Sequence, residues 1–294
     1  MLRFAIAFLC GLSLAAPLAA QSDDQPIVVE GRSQKKRIDS FVSELTPAPA
    51  TEQLGKFLDP ICPAAIGLPG DQNKQVEARL RKVAAAVGAP VAPEKCTRNL
   101  YVIVGRDKNE VIEGLAREFP AMVGGVSKRL LRQLAAAPGP VAAWQVVDDV
   151  GTDGMPLGQA RMGGDSTPVR TVNTIGSPSR LKSLIRRTFL GSIVVVEAKA
   201  LNGVSTRQLA DYAAMRTLAP TDTRRQVTLP AESILTLLDA GKAPGDAAPS
   251  VTWWDYAFLK SLYATSNDVA AAAQRDQMKR VVGKVLKDVP KEED

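Results

Sequence analysis

The chain reads as an α+β fold: a single domain in which a mixed β-sheet is flanked by helices. Two patterns predict this. Short apolar, β-branched runs at Leu100-Tyr101-Val102-Ile103-Val104, at 141–147 and at Ile193-Val194-Val195-Val196 have the length and composition of buried strands. Elsewhere apolar residues recur at i, i+3, i+4 and i+7, as at Ile38, Phe41, Val42 and Leu45, the period of a helix with one buried face. Strand and helix alternate without an internal repeat, and 294 residues suffice for one sizeable core.

The first element is a secretion signal at residues 1–20. Arg3 supplies a positive charge, an apolar run follows from Phe4 to Leu18, and small residues lead to Ala20 before polar Gln21-Ser22-Asp23-Asp24. The run is short for a bilayer span and Pro17 sits at its end, so cleavage after Ala20 and a periplasmic or secreted location are expected. Leu9 precedes Cys10 where a lipoprotein needs a small residue. A flexible stretch, 21–33, then precedes a helical region, 34–98. Its helices are marked by Ile38, Phe41, Val42 and Leu45, by Leu54, Phe57 and Leu58, and by Val76, Leu80, Val83, Ala84 and Val87, the last closed by Gly88. Cleavage leaves two cysteines, Cys62 and Cys96, which in an oxidising compartment read as one disulfide joining the loops on either side of that third helix.

The α+β core is expected over 99–263. Helices are predicted at 107–118 and 126–136, a further strand at 169–175, and a helix after Ser205 or Thr206 that carries Leu209, Tyr212, Ala213 and Arg216. A C-terminal helix from about Asn267, with Met278, Val281, Val282, Val285 and Val289 as its stripe, and a charged tail complete the chain over 264–294. The Gly-rich loop 151–168 is long enough to be either a site or a disordered connection.

Composition excludes much chemistry. The chain has no histidine, which removes Ser-His-Asp and Cys-His triads, histidine zinc sites and imidazole acid–base catalysis. Net charge is +6, or +5 without Arg3, with short basic clusters at Lys35-Lys36-Arg37 and Arg186-Arg187. These do not concentrate on one element, so no nucleic-acid partner is expected, while weak contact with an anionic surface stays open. Ser-x-x-Lys spacings at Ser33–Lys36 and Ser179–Lys182 lack the companion elements of penicillin-recognising enzymes. Gly124-Gly125-Val126-Ser127-Lys128 is not a phosphate loop, and Asp148, Asp149 and Asp153 read as a solvated turn rather than a cation site.

The order strand Ser192 to Glu197, link Ala198 to Ser205, helix Gln208 to Ala219, turn Ser233-Ile234-Leu235-Thr236 and closing segment Val251 to Tyr263 resembles the end of a metzincin-type metallopeptidase domain, with the strand at a sheet edge. The resemblance covers about a quarter of the chain and rests on spacing. It implies that the family's H-E-x-x-H-x-x-G-x-x-H motif would fall on Tyr212, Ala213, Arg216 and Asp222, with Ala219 at the glycine. Every zinc ligand and the glutamate base is then replaced, so the resemblance implies a pseudo-enzyme with no metal and no cofactor, in which Tyr212 and Arg216 face a cleft and Asp222 returns to Arg216. An exported, non-catalytic binding protein with an envelope protein or peptide as partner follows. The alternative is a histidine-independent hydrolase using carboxylates or a Ser/Lys pair.

Overall fold

The computed structural model describes residues 30–160, 169–172, 179, 182–224, 229, 232–239 and 243–289. The signal, residues 21–29, residues 161–168 at the end of the Gly-rich loop, the second half of the strand expected at 169–175 and the charged tail lie outside them. In chain order the strands are β1 (Pro63–Ile66), β2 (Leu100–Gly105), β3 (Val141–Gly151), β4 (Gly158–Ala160), β5 (Val169–Thr171) and β6 (Ile185–Glu197). The α-helices are α1 (Glu30–Leu45), α2 (Gln72–Ala86), α3 (Lys108–Glu118), α4 (Lys128–Ala136), α5 (Thr206–Thr217), α6 (Trp253–Ala264) and α7 (Ala271–Lys287).

The main sheet has the order β1-β2-β6-β3. Its first three strands are parallel and β3 runs antiparallel to β6, which makes the sheet mixed and the fold α+β. Alternation along β2, β3 and β6 sends Leu100, Val102, Val141, Ala143, Val194 and Val196 to one face and Ile103, Ala142, Trp144, Ile193 and Val195 to the other. Helices α1, α2, α5, α6 and α7 bury the first set, and α3 and α4 cover the second. A strand buried on both faces needs a continuous apolar run rather than alternation. That is why Ile193-Val194-Val195-Val196 reads as it does.

Several expectations are corrected. The strand at 192–197 is not an edge: β6 starts at Ile185 and lies between β2 and β3. The segment around Leu54 and Phe57 is extended, not helical, with a parallel bridge between Lys56 and Thr188. Tertiary partners override its periodicity. Leu54 N–H donates to Gln274 Oε1 (2.7 Å), and Phe57 packs edge-on to Phe189 with centroids 5.5 Å apart. β1 carries no strong strand signal, yet it pairs with β2 from Pro63 to Ile66. β5 ends at Thr171 and pairs only with β4, in a separate two-stranded sheet. α7 begins at Ala271 rather than near Asn267, and α1 extends N-terminally of its apolar stripe to Glu30.

Other local signals hold. Gly88 takes φ +82° after α2, a conformation that favours glycine. Gly67, at φ +95°, passes so close to Val104 that a Cβ there would lie 2.0 Å from its carbonyl oxygen. Cys62 and Cys96 are bonded, 34 residues apart in sequence. Closing a loop of that size stabilises the fold by about 4 kcal/mol in the chain-entropy model.

Candidate functional site

α5 follows β6 through a short 3-10 turn and packs on β6 and β3, with the Ile234–Thr236 turn against it. Its start is spelled in the sequence: Gln208 N–H donates to Ser205 Oγ (3.1 Å) and Ser205 N–H to Gln208 Oε1 (3.1 Å), a capping box. The helix is buried almost all round. At the expected ligand positions two side chains are buried and two, Arg216 and Asp222, are half-buried. Tyr212 is 2% exposed and Ala213 fully buried. Arg216 Nε donates to the Tyr212 hydroxyl (3.1 Å), its guanidinium 5.2 Å from the ring centre. Asp222 does not return to Arg216; its carboxylate takes both Nε (2.8 Å) and Nη2 (2.6 Å) of Arg224. Beyond Arg216, the end of α5 is tied down by side chains. Gln145 Nε2 donates to the carbonyls of Arg216 and Ala219, and the Tyr263 hydroxyl to that of Leu218. These bonds satisfy carbonyls that a helix end leaves without partners. The seam does structural work.

The buried ionisable groups are equally committed. Asp211 on α5 is fully buried and accepts from Arg79 Nε (2.6 Å) and Nη2 (2.9 Å), Ser250 Oγ and Val251 N–H. Asp255 accepts from Ser233 Oγ, Ile234 N–H, and the N–H and Oγ1 of Thr252, joining the turn to the start of α6; burial pushes its carboxyl up against those bonds. Lys56 donates to the carbonyls of Leu262, Tyr263 and Thr265, and burial lowers its pKa to about 8. The three aspartates considered as a cation site go separate ways. Asp148 pairs with Arg170, Asp149 with Arg187, and Asp153 Oδ1 accepts from Met155 N–H. Among the described residues no cluster of three or more potential ligands could hold a metal ion.

Two surface concavities gather polar and aromatic side chains. One, of about 460 Å³, lies between the segment 51–53 and the start of β6, and brings Ser179, Lys182, Glu52 and Asp149 to one rim. Arg187 ties down both carboxylates, at 2.5 Å from Glu52 and 3.2 Å from Asp149. Lys182 turns its ammonium toward Asp268 (3.7 Å), while its backbone N–H donates to Ser179 Oγ.

The other, of about 540 Å³, runs between α2 and the N-terminal turn of α6, lined by Arg79, Lys82, Val83, Val251, Trp253 and Tyr256 among others. Trp253 is 52% exposed and meets Tyr256 edge-to-face at 5.9 Å. Its neighbour Trp254 is buried, with Phe41 against it at 5.4 Å. Successive side chains on a helix diverge by about 100°, so only one of two adjacent tryptophans can face the core. Trp253-Trp254 is thus the signal in the chain for this surface. The groove's polar wall is cationic. Lys82 is exposed and makes no hydrogen bond or ion pair with any described residue, Arg79 spends its Nε and Nη2 on Asp211, and Lys260 stands 5.5 Å from the Tyr256 ring centre. Compared with models of protein families, with curated proteins and with solved structures, the chain matches none.

Proposed function

We propose that this is an exported, non-catalytic binding protein whose ligand site is the groove between α2 and α6. The observation that carries the reading is a half-exposed tryptophan on a capped, well-packed helix, beside a second aromatic ring and an unpaired lysine. Tryptophan, tyrosine and arginine dominate binding energy at interfaces because they bury large area with few rotatable bonds. The half of Trp253 left in solvent gains nothing in the free chain, whereas a ligand covering it gains that apolar area. The cationic wall selects an anionic partner. The fitting ligand is a peptide segment of an envelope protein that pairs an aromatic or large apolar side chain with a carboxylate. The degenerate peptidase frame belongs to the same proposal: α5, the 234–236 turn and α6 follow in the expected order, and their buried polar groups hold the frame rather than a reaction centre.

Titration against an array of short acidic-aromatic peptides and charge-reversed controls tests this. The acidic peptides should bind, and Trp253→Ala and Lys82→Glu should each weaken them about tenfold or more, Lys82→Glu without lowering the melting temperature. If no peptide distinguishes the wild type from Trp253→Ala, the groove is not the site. The second reading, a histidine-independent hydrolase, draws on the other concavity, where Ser179 and Lys182 share a rim with Glu52 and Asp149. Labelling of Ser179 by a fluorophosphonate probe would favour it.

A further inference from the structure

We infer that the Cys62–Cys96 disulfide is a thiol-exchange site, attacked by an external thiolate at Cys96 Sγ with Cys62 Sγ as the leaving group. This is independent of the groove. A neutral disulfide gains little from a nearby cation, but a thiolate gains much. Here two guanidinium groups are aimed at the sulfurs: Arg98 Nη1 lies 3.4 Å from Cys62 Sγ, and Arg81 Nη2 lies 3.9 Å from Cys62 Sγ and 3.3 Å from Cys96 Sγ. Both arginines are held in place by backbone acceptors. Arg81 Nη1 donates to the Ala92 carbonyl and Arg98 Nη1 to that of Pro63. Among the described residues, the acidic side chain within ion-pair distance of either guanidinium is Glu77, 3.9 Å from Arg98, whose other carboxylate oxygen takes the Ala65 N–H.

Burial decides which sulfur is attacked. Cys62 is fully buried, while Cys96 is half-buried in a loop whose residues Pro93, Glu94, Lys95 and Thr97 are all exposed. A thiolate approaching in line with the S–S bond reaches Cys96 from the solvent side, and Cys62 only through the core. The incoming sulfur forms a bond to Cys96 Sγ as the Cys62–Cys96 bond breaks, and the electron pair leaves on Cys62 Sγ beside Arg98 and Arg81. Leaving thiolates stabilised by cations depart faster. The co-reactant is a dithiol, either a small molecule or an oxidoreductase. Its second thiolate then attacks its own sulfur in the mixed disulfide and releases Cys96. Two electrons and two protons pass from the dithiol to the cysteine pair. The Cys62 carbonyl keeps its bonds from Asn99 and Leu100 N–H, so reduction frees the 92–97 loop rather than the sheet.

The experiment exposes the native, oxidised protein to reduced glutathione, quenches with N-ethylmaleimide and maps the adduct by mass spectrometry. Glutathione should appear on Cys96 with Cys62 alkylated. Dithiothreitol reduction of the Arg81→Gln/Arg98→Gln protein should be about tenfold slower than wild type, and that of the corresponding double lysine variant close to wild type. The three should converge once unfolded in urea. Glutathione on Cys62, or folded glutamine variants reduced within roughly twofold of the wild-type rate, overturns the proposal. Adduct mapping needs no variant, so it decides the site of attack even if the glutamine forms fail to fold.

Discussion

Lys56 offers a direct reading of how burial and pH couple in this fold. Its side chain leaves the extended 54–58 segment and ends among the carbonyls of Leu262, Tyr263 and Thr265, where it terminates α6. The residue is 4% exposed, and burial lowers its pKa from 10.5 to about 8. Because the folded pKa lies below the unfolded one, the unfolded chain binds more protons between those values, and stability must rise with pH across that window. At 1.36 kcal/mol per unit, the full rise is about 3 kcal/mol, of which roughly three quarters is reached by pH 10. Substituting Lys56→Met removes the titration and leaves buried carbonyls short of a donor, so the variant should be about 1–3 kcal/mol less stable at pH 7. Its alkaline rise should also disappear. Urea unfolding of both proteins at half-unit steps from pH 7 to 10 isolates the effect as a difference. The subtraction matters because burial raises the Tyr263 phenol, and that group acts in the opposite sense, withdrawing stability as pH climbs past 10. Parallel pH profiles for the two proteins would refute the account of Lys56 as a buried, desolvated cation.

Two further measurements probe other parts of the structure. Arg79→Met should destabilise the protein by about 3–5 kcal/mol in urea unfolding, because Asp211 would remain buried with its charge uncompensated; a loss below about 1 kcal/mol would show that Ser250 and the Val251 N–H suffice alone. Intact mass of protein recovered from the envelope fraction should give Gln21 as the first residue, and retention of Met1 would remove the export reading.

Elements whose cause lies within a few residues were legible. Ser205 and Gln208 write the start of α5, because a capping box needs only two side chains three positions apart. Gly88 marks the end of α2, because its positive φ is a local demand. The Ile193–Val196 run announces a strand buried on both faces. By contrast, Pro63-Ala64-Ala65-Ile66 has weak strand propensity and becomes β1 because β2 offers a parallel edge and α2 covers it. The helix expected from Leu54 and Phe57 was lost to the same cause: the Leu54 backbone N–H is claimed by Gln274 and the Phe57 ring by Phe189, each more than 130 residues away.

The candidate site divides along the same line. Histidine's absence, the cysteine pair and the run of possible ligand positions on α5 were all visible in the chain, and they bound the chemistry before any fold was known. Whether Tyr212 and Arg216 faced a cleft was not visible, because how a helix is covered depends on what the sheet, α2 and the 234–236 turn bring to it. The α2–α6 groove was invisible for the same reason: Lys82 and Trp253 are far apart in sequence and meet only when both helices dock on one face of the sheet. The sequence by itself determined the period of each element, its caps and the reactions the chain could not perform, since these follow from side-chain chemistry and short-range sterics. Tertiary structure alone decided which strand lies at an edge, which charges are buried, and which aromatic ring of an adjacent pair is left in solvent, since each of those is a relation between segments that the chain keeps apart.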